Sequence, residues 1–453
     1  MNPRQQLLRR IPVIISLGFL TILILCVLIF LTYSHLDGKQ QQANAGEYSS
    51  GQQVQTGVFE RIILTWKENP ATSQAVTWRT NSPTKAAVAE IAPADSSPDF
   101  QKNAQTFQAT SIELQAGEKN AYYHSVNFTN LIPNTLYAYR VGSGDLRSEW
   151  FQFRTANDQA EPFSFIYFGD AQIQIRSLWS RTIRSAILES PRARFMIHAG
   201  DLVNHGDSDV QWGEWFDAAG WLFAMVPSMP AAGNHEYRNQ KTSVKRLSPH
   251  WRPQFMLPEN GIAELEETVY FIDYQGVRVV VLNSNSKAEK QARWLEEIFE
   301  QNPNHWTVIA FHHPIHASVY GPDENKHGKI WKPIFEKYNV DLILQGHEHI
   351  YARGFGQENN IRQVSGPLYI TSVSGPKMYE IKSRRGMDRA GENMQLFQVI
   401  SVSRDILHYR AVTVTGELYD AFDIVKESDG KKLFVEKIPG DLPERRFNSQ
   451  QKN

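Results

Sequence analysis

Two aspartates, an asparagine and several histidines stand at the ends of short apolar runs in the second part of this 453-residue chain. Phe165-Ile166-Tyr167-Phe168-Gly169 leads to Asp170, and Phe195-Met196-Ile197-His198-Ala199-Gly200 leads to Asp201. Residues 306–311 lead to His312-His313-Pro314, and residues 340–346 lead to His347-Glu348-His349. Between these pairs, Gly233-Asn234-His235-Glu236 follows a proline-bounded loop. A single Gly-Asp after a strand is usually a turn or a helix cap, but five such fragments in one order are poorly explained by chance. Carboxylates and an amide oxygen are hard donors, and imidazole suits zinc, iron or manganese. Two cations about 3.5–4 Å apart can acidify a shared water, polarise a phosphoryl oxygen and stabilise the leaving oxygen. Hydrolysis of a phosphate ester needs all three.

For these groups to converge, they must lie beyond the carboxyl ends of neighbouring strands, where α/β sheets bind ligands. Residues 163–168, 194–199, 306–311 and 340–344 are compact apolar runs suited to buried strands. Residues 177–188, 287–300 and 329–338 carry helical spacing, with Trp294, Leu295, Ile298 and Phe299 on one face. The alternation predicts a layered α/β (α+β) domain over residues 157–435, its sandwiched sheets flanked by helices. A hairpin at 269–274 and 277–282 and late strands near 396–402 and 406–414 extend the sheets. Residues 436–453 read as a polar tail expected to be poorly ordered.

The preceding residues, 58–156, read as an all-β sandwich. Short β segments at 62–66, 75–78, 87–91, 122–128, 136–141 and 150–153 are separated by turn residues. The run 131–141 alternates side chains and places a tyrosine where a sandwich corner could use its hydroxyl to satisfy the backbone. Further upstream, residues 11–33 are predominantly apolar and uncharged, with Arg4, Arg9 and Arg10 before them. Such a run spans a bilayer as one helix, with the arginines on the cytoplasmic side. Residues 1–37 are therefore expected to be a cytoplasmic stub and transmembrane signal-anchor helix, and residues 38–57 a flexible linker. The catalytic part would face outside the cytoplasm, periplasmic or extracellular. The alternative is secretion after cleavage near Ala45, since Ala43-Asn44-Ala45 has the small-x-small form, although the apolar run exceeds an ordinary signal core.

Composition adds limits. A chain that is 41% hydrophobic supplies enough apolar material for two cores. The only cysteine, Cys26, lies in the apolar run, so the exported part has neither a disulfide nor a thiolate metal site. A formal net charge of -1 gives no support for a nucleic-acid surface. No nucleotide-type glycine-rich phosphate loop and no internal repeat occur.

The order Gly-Asp, Gly-Asp, Gly-Asn-His-Glu, His-His-Pro, Gly-His-x-His resembles the calcineurin-like metallophosphoesterase family. The run Gly346-His347-Glu348-His349-Ile350-Tyr351-Ala352-Arg353, with a fibronectin type III-like module ahead of the catalytic domain, is similar to the purple acid phosphatase branch. The resemblance covers about residues 58–426. It implies that Asp201 bridges two metal ions, that Asp170 and His349 bind the first, and that Asn234, His312 and His347 complete the second. It also implies that His235 contacts the substrate phosphate, and that His313 is a neighbour and not a ligand. In that branch a tyrosine three residues after the second aspartate binds ferric iron and gives the colour; here Asn204 stands there, so no purple colour is expected. Glycine or histidine usually stands two residues after the first aspartate; here it is Gln172. Gln172 or Asn204 could donate an amide oxygen to the first metal, or only hydrogen-bond around it, and the metals are left as iron, zinc or manganese.

Protonation of the leaving group needs an acid near the metals; His316 and His327 are preferred over His205. Arg238, Lys241, Lys245 and Arg246, in the loop 237–251, could attract an anionic substrate. The expected activity is hydrolysis of small phosphate monoesters by a metal-bound hydroxide. The alternatives are a phosphodiesterase or nucleotide hydrolase on the same site and, from another class, an inactive surface binding or adhesion protein.

Overall fold

The computed structural model describes residues 59–446, except 85, 117–118, 239–245, 317–318, 320–325, 355–362, 365, 385 and 429–430. The apolar run 11–33, the linker 38–57 and Lys241 and Lys245 lie outside the described residues. Among the described residues, no helix is long and apolar enough to cross a membrane.

The second strand of the sandwich explains how the two halves of the protein are joined. In the strand Gln74–Thr80 every residue is buried, although a strand with one solvated face would alternate. Val76 and Trp78 enter the sandwich core with Phe128, Tyr139 and Phe153. The opposite face meets the second domain, where Thr77 Oγ1 donates to the Gln254 carbonyl (2.5 Å) and Arg79 pairs with Asp209 (3.2 Å). Arg61 reaches the same Asp209 (2.8 Å), and Tyr139 donates to the Ala224 carbonyl (2.7 Å). One antiparallel sheet runs Glu60–Thr65, Gln74–Thr80, Lys119–Phe128, Thr110–Ala116. The other holds Gln105–Gln108, Ala87–Pro93 and Leu136–Ser143, with Leu146–Arg147 and Phe151–Arg154 both on the last. The corner tyrosine is Tyr137, whose hydroxyl accepts the Ile132 N–H (3.0 Å).

The second domain consists of two facing sheets between helical layers. In one, Ser228–Pro230, Met196–His198 and Phe163–Phe168 run parallel, and Leu396–Val402, Ile406–Thr413, Leu418–Lys426 and Lys432–Glu436 continue antiparallel. In the other, Val277–Val281, Trp306–Ala310, Leu342–Gln345 and Leu368–Thr371 are parallel, with Tyr270–Tyr274 at one margin and Tyr351–Gly354 and Arg389–Gly391 at the other. Phe165, Tyr167, Met196, Val279, Val308, Leu344 and Val399 share the core between them. Alternate residues of the second sheet, including Val280, Ile309 and Ile343, pack outward against Leu295, Phe299, Trp331 and Phe335. Those four lie on the helices Ala288–Glu300 and Lys326–Lys337, while Ser180–Glu189 and Asp209–Ala219 pack together by the first sheet, Trp179 stacking on Trp215.

Two expectations need correction. The exposed strands Gln105–Gln108 and Thr110–Ala116 have no counterpart in the sequence reading, because they offer few apolar side chains to the core. The tail does not loosen at Glu436: Glu392 N–H donates to the Arg445 carbonyl (3.0 Å), and the Glu444 carboxylate accepts from Ala390 N–H (2.8 Å) and pairs with Arg384 (2.6 Å). Glu444 thus has partners on the domain, and residues 447–453 lie outside the described residues.

Candidate metal centre

Strand register delivers the donors. Phe168 lies opposite His198 in a parallel pair, so the turns carrying Asp170 and Asp201 leave the first sheet side by side. Ala310 lies opposite Leu344 in the second sheet, and Gly346 N–H donates to the His312 carbonyl (2.9 Å), which brings His312 beside His347. Tyr167 donates its hydroxyl across the core to the Gln345 carbonyl, joining the two rims. The glycines before the ligand-type residues are required by contact: a Cβ on Gly346 would lie 2.4 Å from Asp170 Oδ1, and one on Gly233 2.2 Å from Asp201 Oδ1.

Asp170, Asp201 and His349 offer donor atoms within 4.8 Å of one another, and so do His312, His313 and His347. His312 Nε2 lies 3.0 Å from Asn234 Oδ1, 3.2 Å from Asp201 Oδ2 and 3.2 Å from His347 Nδ1, so Asp201 links the groups. His312 and His349 each give an Nδ1–H to a backbone carbonyl, of Ala199 and Lys377 respectively, both at 2.9 Å. A carbonyl can only accept, so Nδ1 carries a proton in each ring, and Nε2, which faces the carboxylates, is the atom able to exchange a proton for a metal. Asp201, His347 and His349 all hold a left-handed backbone, with φ of 50°, 72° and 47°. Non-glycine residues keep that conformation only where surrounding contacts enforce it.

Electrostatics favour cations there. Among the described residues no Lys or Arg lies within ion-pair distance of either Asp170 or Asp201, although both are buried; their only such partners are histidines. Asp170 Oδ2 accepts no hydrogen bond. Burial alone would raise the Asp201 carboxyl, but His312 and then His235 hold it below the usual carboxylate range. Burial also opposes a proton on His312, yet Asp201 and Asp170 raise it to about 9. Burial and then the neighbouring His312 lower His347 to about 4, and push His313 well down. Those rings are held neutral, the form that binds metal. Two carboxylates, one amide and several imidazoles therefore fit a pair of first-row cations, which would displace the proton on His312.

The remaining sequence-derived candidates are dispersed. His235 borders the cluster: its N–H donates to Asp201 Oδ1 (2.9 Å), its Nδ1–H to the Asn204 carbonyl (2.6 Å), and Nε2 stands 3.8 Å from Asp201 Oδ2. Gln172 is buried beside the two aspartates, its N–H donating to the Asp201 carbonyl (3.1 Å). Asn204 Nδ2 contacts His205 Nε2 at 3.0 Å, and His205 is exposed. His327 sits among Phe311 and Trp331, with Nε2 2.9 Å from the His313 carbonyl. His316 packs edge-on against Tyr369 (4.8 Å).

Several contributors escaped the sequence reading. His313 lies within the imidazole cluster, where Ser284 Oγ meets its Nδ1 at 2.8 Å. Glu236 is fully buried and accepts N–H groups from Gly233 (2.7 Å), Asp201 (2.9 Å) and Leu202 (2.9 Å), thereby clamping two donor turns together. Glu348 likewise accepts Val319 N–H (2.9 Å). An acidic residue directly beside a ligand-type histidine in each motif was the available signal, since a buried carboxylate needs several donors.

Comparison with known proteins agrees with this geometry. Residues 59–155 match the purple acid phosphatase N-terminal domain, and residues 163–351 match the calcineurin-like phosphoesterase domain. An uncharacterized protein of Mycobacterium tuberculosis is 27% identical over 268 residues, which cover 50% of each chain. Thus the chain spans about half the length of the first curated relatives it matches. Human acid phosphatase type 7 is 27% identical over 321 residues, covering 65% of this chain and 70% of its own. The structure of purple acid phosphatase PPD1 from yellow lupin seeds shares the fold, with a TM-score of 0.68 at 16% identity, over 83% of this chain and 75% of that one. Residues 163–351 therefore form a calcineurin-like phosphoesterase domain, preceded over residues 59–155 by the N-terminal domain found in purple acid phosphatases.

Proposed function

We propose that the protein is a dinuclear-metal phosphoesterase that hydrolyses small phosphate monoesters. The observation carrying this reading is the buried carboxylate pair Asp170 and Asp201, surrounded by imidazoles and without a Lys or Arg partner among the described residues. Asp170 and His349 would hold the first cation, Asn234, His312 and His347 the second, and Asp201 both. Iron, zinc and manganese suit these donors. When bound, such a pair acidifies a shared water and offsets charge on the phosphoryl oxygens.

The chain's own residues complete the chemistry. With Nδ1–H committed to the Asn204 carbonyl, a protonated His235 presents Nε2–H to a phosphoryl oxygen, stabilising charge that grows as the ester bond breaks. One of the two preferred acids, His316 or His327, would protonate the leaving oxygen. Replacing that histidine by Ala should slow an alkyl phosphate far more than p-nitrophenyl phosphate, whose leaving group needs no proton; equal slowing in both His316→Ala and His327→Ala contradicts the role. Anchoring by residues 11–33 would place this site outside the cytoplasm. Protease added outside an intact membrane should then digest the catalytic domain, and protection would put it inside.

The activity is tested with the purified full-length chain on p-nitrophenyl phosphate and its bis-ester, before and after chelation. Faster release from the monoester, lost with chelator and restored by added iron, zinc or manganese, is expected. Preference for the bis-ester selects the phosphodiesterase reading. No turnover in any metal-loaded form selects a binding protein.

A further inference from the structure

Gln172 has no use in the fold as described. It is 1% exposed, and among the described residues neither its Oε1 nor its Nε2 has a hydrogen-bond partner. Its backbone is left-handed, with φ of 51°, and the Asp201 carbonyl takes its N–H as well as that of Ala171 (3.2 Å). The residue is thus pinned between the Asp170 and Asp201 turns. An unpaired buried amide is unfavourable, and so is a left-handed backbone at a residue other than glycine. An apolar side chain of similar size would remove the first cost and glycine would remove both. That both costs persist beside a cluster of metal-type donors points to a partner for the amide other than protein.

We infer that Gln172 Oε1 is a ligand of the first cation, joining Asp170, Asp201 and His349, and that this site consequently takes a divalent ion of the manganese class. The inference rests on the two-metal reading above. Asn204, the other amide offered by the sequence, is half-buried, and its Nδ2 contacts the exposed His205, whereas Gln172 is almost completely buried beside the two aspartates. With Gln172 the first site has three oxygen donors, one nitrogen and two carboxylate charges, with neither phenolate nor thiolate. Neutral oxygen donors suit a hard divalent ion, while the imidazoles His312 and His347 give the second site more nitrogen.

The test titrates the metal-free full-length chain with Mn2+, following unbound ion by electron paramagnetic resonance, and records the metal-free thermal midpoint. Wild type should bind two ions. Gln172→Leu should weaken one of them by about tenfold or more while its metal-free midpoint holds or rises, because the lost amide had no partner. Gln172→Gly relaxes the left-handed backbone and should show the same loss, which covers the case of poor folding in the leucine variant. Gln172→His, which restores a donor, should recover most of the affinity. Unchanged Mn2+ affinity in the leucine or glycine variant overturns the inference and leaves the two-metal reading standing. Failure of wild type to bind two ions when zinc and iron are titrated as well as manganese overturns the reading itself.

Discussion

Asp170 and Asp420 are both fully buried aspartates of one domain, yet they are compensated in opposite ways. Asp420 accepts from Arg353 Nε (2.7 Å) and the Tyr351 hydroxyl (2.6 Å), and Arg353 continues to Glu436 (2.8 Å). Asp170 takes the His347 N–H (2.7 Å) on one oxygen, and its other oxygen faces only the His349 ring (3.0 Å). To bury Asp420 between β-strands, the chain brings a guanidinium of its own. Around Asp170 it brings a second acid, an amide and imidazoles instead. Taking a carboxylate out of water is costly unless a cation accompanies it, so the second arrangement calls for cations from outside the chain.

The contrast can be broken most sharply at Asp201. Asp201→Asn should abolish phosphatase turnover and release bound ions, with little change in the metal-free midpoint; metal analysis with p-nitrophenyl phosphate kinetics would show it. Next is His235, which borders the cluster without being assigned as a ligand. His235→Asn should reduce kcat by about a hundredfold while ion content stays at the wild-type value, and loss of ions would move His235 into the metal shell. At the other aspartate, Asp420→Asn leaves Arg353 without its buried counter-charge and should cost about 3 kcal/mol of stability. Ion content and kcat of the folded fraction should be unaffected, as denaturant titration alongside the assay would reveal.

The smallest effect concerns protons in the sandwich. His124 is buried between Thr80 Oγ1 (2.9 Å) and Ser111 Oγ (2.8 Å), and burial lowers it from 6.5 to about 4. Above pH 6.5 it is neutral in folded and unfolded chains alike. Between pH 6.5 and 4 the unfolded chain takes up a proton that the folded one refuses, so stability falls as the pH drops through that window. Below pH 4 both forms are protonated and this contribution stops changing. His124→Gln should flatten the drop between pH 7 and 4.5 in denaturant midpoints, and an unaltered slope would assign it to other groups.

How much of this was legible depended on what each side chain meets. The run 163–168 was readable to the residue because a strand buried on both faces is continuously apolar, and the donors stood directly after such runs. The edge strands Gln105–Gln108 and Thr110–Ala116 were not, since exposed strands leave no apolar period. His313 was read as a neighbour of the ligand His312, and its ring lies beside that of His347, with centroids 4.5 Å apart, a contact that the sequence does not reveal. His327 carried the right chemical type for an acid, but the helix Lys326–Lys337 directs it into an aromatic pocket. The Asp420 network joins residues 67 apart in sequence, beyond the reach of any local pattern.

The central claim, that the acids around Asp170 await cations and not side chains, is tested most directly by anomalous diffraction from crystals of the protein grown with Mn2+. Two peaks about 3.5–4 Å apart, with the Asp201 carboxylate between them and Asp170 and His349 on the outer side of one, are expected. Crystals with no peak at this cluster, or with one arising away from Asp201, would contradict it.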